Sequence, residues 1–409
     1  MHVVVANNIY PPHMAGGAEL IVAYLAEELA TRGHQITVVT TCGPEMEPYP
    51  DEIKNGVKVI RFFPKNVYWN FDRANRPRWQ KAAWHLRDAW NSDAAQRLRT
   101  LLSETPPDIF HTHLIDGMSG SIWRAAKRMG AGVIHTAHDY HLICPRAFMM
   151  TRDWKLCSTP KLSCRTYANW HIHTTRYVDT FTSPSQFLID QHLSKGLRSR
   201  RTNVVANGIP LPPIAGTQGC ASNNVNEPLR LLFAARMTVE KGVQVVLQAM
   251  RLIPADVRVE IDVAGRGELA DQVESAAKDD PRIRFHGYVS GEQKHDLFNS
   301  VDCLLLPSLW YENAPVVVVE AGAYGLGVIG SNIGAIPEFI SDGKNGLLFE
   351  PGDPQSLANV ICKLAANRNL LQTFKHYGNI FAAHSTVANM ADNYLVEYAK
   401  IRASHFLKA

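Results

Sequence analysis

Two glutamates, Glu312 and Glu320, enclose seven uncharged residues in the stretch "WYENAPVVVVEAG" at 310–322. If a strand end here runs into a helix, the two carboxylates lie ~12 Å apart, at ~1.5 Å of rise per residue. That separation matches the reach from the sugar to the ribose of a nucleotide sugar. Glu320 would then accept hydrogen bonds from ribose hydroxyls, and Glu312 would hold the sugar. A salt-bridged helix acid is the alternative for Glu320, and the spacing alone favours it.

The residues between these glutamates carry the signals of a helix start. Pro315 suits a first helical turn, where its missing N–H costs nothing, and Asn313 is a residue type that caps helices. The backbone around Asn313, Ala314, Pro315 and Val316 is therefore expected to bind an anion through free helix amides. The four consecutive valines that follow are predicted to form the buried face of this helix.

Two further positions combine strand ends with groups that attract anions. Gly16 and Gly17 lead from the first predicted strand into a helix, whose free N–H groups and dipole favour a phosphate. A flexible loop explains these two glycines equally well. Arg236 and Lys241 stand five residues apart across a strand-to-helix turn, where two cations would neutralise a diphosphate. Taken alone, solvated surface charge is the commoner explanation of such a pair.

The elements that position these residues are short β-rich runs that alternate with helical patterns. This alternation predicts an α/β fold with parallel sheets covered on both faces, and it restarts after a Gly-, Pro-, Ser- and Asn-rich stretch at 208–228 that is typical of a linker. Ligands of such sheets bind at the carboxyl ends of the strands. The predicted strands are 2–6, 36–40, 57–62, 108–111, 133–137 and 180–183, then 229–235, 257–265, 282–287, 302–307 and 327–331.

Length and composition exclude several classes of protein. A chain of 409 residues favours two domains, and 46% hydrophobic with 20% charged residues is ordinary globular composition. A net charge of +4 is too small to indicate nucleic acid. The start "MHVVVANN" does not resemble a signal peptide, and no apolar run approaches the ~20 residues of a membrane span. A cytoplasmic location and reduced thiols are therefore expected for the seven cysteines.

Taken together and in order, these motifs resemble the family 4 retaining glycosyltransferases, which have the GT-B fold. The resemblance covers nearly the whole chain and implies two doubly wound Rossmann-like domains facing a central cleft. It implies an acceptor-side domain at 1–207, a donor domain at 208–384 and a terminal helix at 385–409 that crosses back to the first domain. The motifs are "PPHMAGGAE", "DIFHTHL", "HTAHDYHLICPR", "NGI", "AGRGE", "LLLPSLWYENAPVVVVEAGAYG" and "GAIPEFISDGKNGLLFEPGD".

The resemblance also implies a reaction and a place for each candidate residue. A sugar would pass from a UDP- or GDP-sugar to a glycan or lipid-linked acceptor with retention, in cell-surface polysaccharide or glycolipid synthesis. Gly16 and Gly17 would meet the donor phosphates, Arg236 and Lys241 the diphosphate, and His138 the transferred sugar together with the first glutamate. No two aspartates are two positions apart, so no D-x-D metal motif exists, and neither a metal nor another cofactor is expected.

Two departures from the family pattern leave the donor base open. The usual "E-G-F-G" at the first glutamate is "E-N-A-P" here, and Pro210 stands after "NGI" where Asp is frequent. A nucleotide-sugar epimerase of the same fold is one alternative function. An oxidoreductase is the other, because "AGRGELA" has the spacing of a dinucleotide-binding turn. The expected acid at the end of the next strand is replaced by His286 and Gly287, which disfavours the oxidoreductase.

Two segments lie outside the family motifs. Cys144, Cys157 and Cys164 cluster near two histidines, and free thiols are preferred over a structural metal site or a disulfide because the short C-x2-C pair of zinc sites is missing. The segment 65–101 is basic and holds four tryptophans. It is predicted to dock on an anionic membrane surface through the basic and aromatic residues outside its apolar stripe, which are Trp69, Arg73, Arg76, Arg78, Lys81 and Trp84. Its apolar stripe, predicted to pack on the sheet, is Trp79, Ala83, Leu86, Trp90, Ala94, Leu98 and Leu101.

Overall fold

The computed structural model describes residues 1–14, 16–212 and 226–406. The chain forms two compact units. The N-terminal unit holds residues 1–149, 157–210 and the chain from Val387 onward, and the C-terminal unit holds 150–156 and the chain from Leu211 to Thr386. The predicted linker at 208–228 falls largely on 213–225, outside the described residues.

The N-terminal unit is built on one eight-stranded sheet. Its order is β3-β4-β2-β1-β5-β6-β7-β8, and every neighbouring pair is parallel except β3 with β4. The central strand is buried along its whole length, as expected of a parallel strand covered on both faces. The strands are β1 His2–Asn7, β2 Gln35–Thr41, β3 Glu52–Lys54, β4 Val57–Phe62, β5 Ile109–Thr112, β6 Gly132–Thr136, β7 Thr180–Ser183 and β8 Arg201–Val204.

Helices cover this sheet between its strands. Most connect one strand to the next in the alternating pattern that the sequence predicted, and two follow each other between β4 and β5. They are α1 Ala18–Thr31, α2 Arg78–Ala89, α3 Ser92–Leu101, α4 Ser121–Arg128, α5 Leu162–Thr174 and α6 Gln186–Leu193, with short 3-10 turns at Pro44–Met46, Asn70–Asn75 and Thr175–Tyr177.

The C-terminal unit is a six-stranded, wholly parallel sheet in the order β11-β10-β9-β12-β13-β14. Its strands are β9 Leu229–Ala234, β10 Val259–Ala264, β11 Ile283–Gly287, β12 Cys303–Leu306, β13 Gly327–Ser331 and β14 Gly346–Phe349. Its helices are α7 Val243–Leu252, α8 Ala270–Asp279, α9 Gly291–Asn299, α10 Val316–Ala323, α11 Ile336–Phe339, α12 Pro354–Ala366 and α13 Asn369–His384, with a 3-10 turn at Val239–Lys241. One apolar cluster joins the sheet to these helices.

The last helix, α14 Val387–Phe406, packs within the N-terminal unit. Tyr394 and Tyr398 are buried on it. The Tyr394 hydroxyl shares a hydrogen bond with Thr136 Oγ1 (2.9 Å), and the Tyr398 hydroxyl shares one with His111 Nδ1 (2.7 Å). These bonds fix the helix to β5 and β6.

The parallel α/β architecture is confirmed, and the predicted strands all occur. Three strands were not predicted: β3, β8 and β14. The first two carry mostly half-exposed or exposed residues, so the apolar run that marks a buried strand is missing. The third has only four residues, "GLLF", and begins with glycine.

The apolar stripe predicted within 65–101 is wrong in its first half. α2 and α3 are separate helices, because the Asn91 side chain caps α3 by accepting from the Ala94 amide. On α2 the buried tryptophan is Trp84, whose indole donates to the Tyr68 carbonyl. Trp69 is buried too, and its indole donates to Thr41 Oγ1. Both were expected at a membrane surface, and that part of the prediction is wrong. Trp79 and Leu86 are instead 68% and 79% exposed.

Among the described helices, none has both the length and the apolar character that crossing a membrane requires.

Candidate functional site

Lys241 and Glu312 are brought together at the strand ends of the C-terminal unit. Lys241 ends the turn after β9, and Gly242 follows it with φ +75°. A Cβ on Gly242 would lie 1.8 Å from the Pro307 carbonyl oxygen after β12. Only glycine therefore allows the two loops to approach so closely. Across this approach, Lys241 Nζ lies 2.7 Å from Glu312 Oε1.

The Glu312 carboxylate is 6% exposed. Ser308 Oγ also donates to its Oε1 at 2.8 Å. Burial by itself raises the pKa of Glu312, but the charge of Lys241 and the hydrogen bonds from Lys241, Ser308 and Trp310 together hold that pKa below its ordinary value. Lys241 also lies 5.1 Å from the centre of the Trp310 ring. Lys241, which was predicted to bind a diphosphate, thus forms an ion pair with Glu312, which was predicted to bind the sugar.

The start of α10 differs from the prediction. The helix begins at Val316, its N-cap is Pro315, and no side chain caps it. Asn313 is therefore not the cap, and Pro315 is not in the first turn. The helical rise used to separate the two glutamates does not apply to residues 312–315. Of the four valines, only Val318 and Val319 are buried.

Glu320 is paired on the face of α10. Its Oε1 lies 2.7 Å from Nζ of Lys294 on α9. Both side chains are partly exposed, so the pair contributes little to stability and exchanges partners easily. Lys294 was missed in the sequence because nothing in its neighbourhood is distinctive.

Lys294 lines a pocket of about 470 Å³ in the C-terminal unit. Arg236, Arg266 and Tyr288 line it too, and the Arg266 guanidinium lies 4.9 Å from the centre of the Tyr288 ring. Arg236 is well exposed and 3.5 Å from Glu240. The pocket therefore offers three cations and an aromatic face. The sequence predicted only Arg236 among them, although "AGRGE" had marked the turn that carries Arg266.

In the N-terminal unit, the amide of Gly16 already has a partner. It donates to Glu19 Oε2 at 2.9 Å, and Glu19 is buried. Gly17 is the N-cap of α1. The expectation that both glycines present free N–H groups is wrong for Gly16, because an acidic residue one turn into the helix satisfies its donor. An anion at Gly16 would replace the Glu19 carboxylate.

His138 follows β6 and is held by a second histidine. Its Nε2 shares a hydrogen bond of 2.9 Å with Nδ1 of His113, and the two rings stack 5.2 Å apart. Burial lowers the pKa of His138 to about 4, so its imidazole is neutral near pH 7. The sequence did not assign His113 a role, although the string "HTHL" had marked the strand end that carries it.

The described cysteines do not form a metal cluster. Cys144, Cys157 and Cys164 are free thiols. Within the described residues, the ligand atoms that converge belong to Asp116, Asp139 and His141. The sequence did not predict this group, because its members come from two loops far apart along the chain.

Comparison with protein families gives two matches that follow the two halves of the chain. Residues 16–208 match the family described as "Glycosyl transferase 4-like domain". Residues 228–367 match the family described as "Glycosyl transferases group 1".

Individual proteins extend these matches. An uncharacterised 42.6 kDa protein in the cps region of Klebsiella pneumoniae is 30% identical over 342 residues, which cover 83% of this chain and 87% of that protein. The structure resembles HepE of Anabaena in complex with UDP, with a TM-score of 0.71 and 17% identity over 98% of this chain and 100% of the other. It also resembles a sucrose-phosphate synthase from Thermosynechococcus elongatus, with a TM-score of 0.74 and 19% identity over 98% and 99%. Both neighbours are glycosyltransferase folds of the GT-B type.

Proposed function

The chain belongs to the group 1 glycosyltransferases of the GT-B fold, and we propose that it moves a sugar from a nucleoside diphosphate sugar to a glycan or lipid-linked acceptor. The reaction retains the anomeric configuration and uses no metal ion. The observation that carries this proposal is the basic pocket of the C-terminal unit beside Glu320.

The donor nucleotide occupies that pocket. Arg236, Arg266 and Lys294 bring positive charge to its wall, which suits a diphosphate. Lys294 then leaves Glu320 for a phosphate oxygen, and the freed carboxylate accepts from the ribose hydroxyls. Tyr288 offers a flat face on which a base stacks.

Lys241 and Glu312 act at the bond that breaks. The C1–oxygen bond to the diphosphate breaks, and negative charge grows on the leaving oxygen. Lys241 stabilises that charge together with Arg236, because preorganised cations act most strongly where charge develops. Glu312 and the backbone of 313–316 hold the sugar.

Retention follows if both events occur on one face of the sugar. The acceptor oxygen bonds to C1 on the side that the diphosphate leaves, and the acceptor proton passes to the leaving diphosphate. Glu312 is poorly suited to be a covalent nucleophile, since its Oε1 is engaged by Lys241 and Ser308. Lys241 and Arg236 take the place of a metal ion, in keeping with the missing D-x-D motif.

The N-terminal unit supplies His138 to the sugar. Because Nε2 is bonded to His113, Nδ1 is the atom assigned to a sugar hydroxyl. Gly16 and Gly17 receive a donor phosphate after Glu19 moves away. His113 is a positioning residue that sets the ring angle of His138.

The acceptor belongs to cell-surface polysaccharide or glycolipid synthesis. The relative in a cps region supports this assignment. A lipid-linked acceptor agrees with the exposed Trp79 and Leu86 on α2. Together with Arg76, Arg78 and Lys81, these side chains suit the surface of an anionic membrane.

The decisive experiment measures nucleotide binding by calorimetry. Glu320→Ala should weaken binding of UDP or GDP about 10-fold or more, since each charge-assisted hydrogen bond contributes ~1.5–3 kcal/mol. Glu274→Ala is the matched control, because Glu274 is an exposed acid that pairs with Lys278 within α8. Equal affinities for both variants would refute the ribose assignment.

The reaction itself is tested with the nucleotide sugar that binds. Product NMR should show the donor's anomeric configuration, and turnover should persist in excess chelator. An epimerised nucleotide sugar formed without acceptor would instead identify an epimerase.

A further inference from the structure

A cluster of carboxylates and histidine lies in the N-terminal unit, and one of its members is the residue directly after His138. Asp116 follows β5, and Asp139 and His141 follow β6. One ligand atom from each of the three lies within 4.8 Å of the others. Nothing in the sugar-transfer scheme uses this cluster.

Two buried atoms at the cluster have no hydrogen-bond partner among the described residues. They are Nε2 of His141 and Oδ1 of Asp88. His141 is 4% exposed and Asp88 is 3% exposed. An unpaired buried polar atom is costly, and native proteins nearly always satisfy it with a partner, an ordered water or an ion.

The charges around the cluster favour a further cation. Asp88, Asp116 and Asp139 interact electrostatically with one another or with His141, and the guanidinium that faces them belongs to Arg73. Arg73 is shared with other groups, since its Nη2 donates to the Pro145 carbonyl at 3.3 Å and lies 3.4 Å from His85 Nε2.

The other groups at the cluster are neutral or weak donors. The Asn8 amide lies 3.5 Å from Asp116 Oδ2, and the Tyr167 hydroxyl donates to the His141 carbonyl. Burial lowers the pKa of His85 to about 4 and that of His171 to about 3, so neither ring is a cation near pH 7. Among the groups named here, only Arg73 and His141 can offset the charge of the three carboxylates.

We propose that Asp116, Asp139 and His141 bind one divalent transition-metal cation, with Asp88 beside it. Two carboxylate oxygens and one imidazole nitrogen suit Mn²⁺ or Zn²⁺ better than the all-oxygen coordination of Ca²⁺ or Mg²⁺. Asp139 Oδ1 lies 3.0 Å from His141 Nδ1, which is close enough for both atoms to bind one ion, given metal–ligand bonds of ~2.0–2.2 Å. The site is structural, and it ties the loop after β5 to the loop after β6.

This cation takes no part in the sugar-transfer scheme, which uses Lys241 and Arg236 in the other unit and His138, the residue before Asp139, in this one. The inference does not rest on the proposed donor or acceptor. It is tested by binding, so failure of the glycosyltransferase scheme and failure of the metal site are distinguishable.

The experiment uses the full chain, dialysed against chelator and then against chelator-free buffer. Titration with MnCl₂, followed by electron paramagnetic resonance, should show one bound Mn²⁺ per chain, and ZnCl₂ should compete for it. Asp116→Asn and Asp139→Asn should each weaken binding at least 100-fold. Asp190→Asn is the matched control, because Asp190 is an exposed aspartate of the same unit.

Folding is checked independently of binding. Circular dichroism verifies each variant, and His141→Gln provides a third variant if an aspartate substitution prevents folding. Mn²⁺ should raise the melting temperature of the wild type and of Asp190→Asn but not of folded Asp116→Asn. Absence of binding at 1 mM of either metal overturns the proposal, because that concentration is about a thousandfold above a dissociation constant of ~1 μM. Unchanged binding in both aspartate variants overturns it as well.

Discussion

The two units share an architecture of parallel strands and covering helices, yet their interiors differ in polarity. The C-terminal unit encloses one continuous apolar cluster, and its four histidines are exposed or partly exposed. The N-terminal unit buries seven histidines, namely His2, His111, His113, His135, His141, His171 and His192. Three of its adjacent strands carry buried threonines as well.

The comparison shows two ways to build a site at the ends of parallel strands. In the C-terminal unit, the charged side chains of the site lie at the edge of an apolar core. In the N-terminal unit, polar side chains continue into the core, where His111 bonds to Thr136 and Tyr398. Such a network is stable only while its members keep their hydrogen bonds and stay uncharged. The N-terminal unit should therefore respond to conditions that leave the other unit unchanged.

The largest expected effect is selective loss of stability in acid. Burial lowers the pKa of His111 and His171 to about 3 and that of His192 to about 4. In the unfolded chain these histidines bind protons near pH 6.5, whereas in the folded chain they do not. The stability of the fold is therefore complete above pH 6.5 and falls as the pH drops towards 4. Each such histidine costs about 2 kcal/mol at pH 5.

Hydrogen exchange read peptide by peptide measures this difference. After correction for the intrinsic rate, β5, β6 and α14 should lose protection between pH 7 and pH 5, while β9, β10 and β13 keep theirs. Equal loss in both units would remove the distinction between the two interiors.

Removal of the terminal helix should have the next largest effect. A chain ending at residue 384 lacks Tyr394 and Tyr398, so it leaves Thr136 and His111 without these partners and uncovers apolar surface. We expect the N-terminal unit to lose exchange protection and the enzyme to lose activity, while nucleotide binding by the C-terminal unit persists. Tyr398→Phe tests the hydrogen bond alone and should cost about 1 kcal/mol. A fully active truncated enzyme would show that the helix is dispensable.

A third experiment introduces an unpaired charge into the C-terminal unit. Lys241→Met leaves the buried Glu312 carboxylate without its cation, which should lower stability by about 3–5 kcal/mol. Adding Glu312→Gln should restore most of that loss without restoring activity, as measured by urea unfolding and turnover. If the double variant is no more stable than Lys241→Met, the ion pair does not explain the cost.

The smallest expected effect extends the comparison from the interior to the surface. Trp79 and Leu86 are exposed on α2, and each nearby Lys or Arg contributes ~1 kcal/mol at an anionic membrane. Wild type should sediment with anionic liposomes at low salt but not with neutral ones, and Trp79→Ser with Leu86→Ser should abolish this. Leu252→Ser, which alters an exposed leucine of the other unit, is the control. Sedimentation unaffected by the double change would point to another surface.

The sequence was sufficient for elements whose own residues carry the signal. Valine-rich strands such as β1, and a helix after Gly17, follow from local periodicity. Contacts between residues far apart in the sequence cannot be predicted from local periodicity. The pairing of Lys241 with Glu312 depends on the close approach at Gly242, and the exposure of Trp79 depends on Trp84 taking the inward position. The hydrogen bond from the Gly16 amide to Glu19 could have been predicted from the sequence, since an acid in a first helical turn is a common partner of free amides.

The position of Lys241 over the Trp310 ring has a spectroscopic consequence. An ammonium group near an indole shifts its emission, and Trp310 is one of only two tryptophans in the C-terminal unit, with Trp154. If a donor diphosphate draws Lys241 away, as proposed, the field at that ring should change. With the other seven tryptophans replaced by phenylalanine, the emission wavelength of Trp310 should then report donor binding and product release.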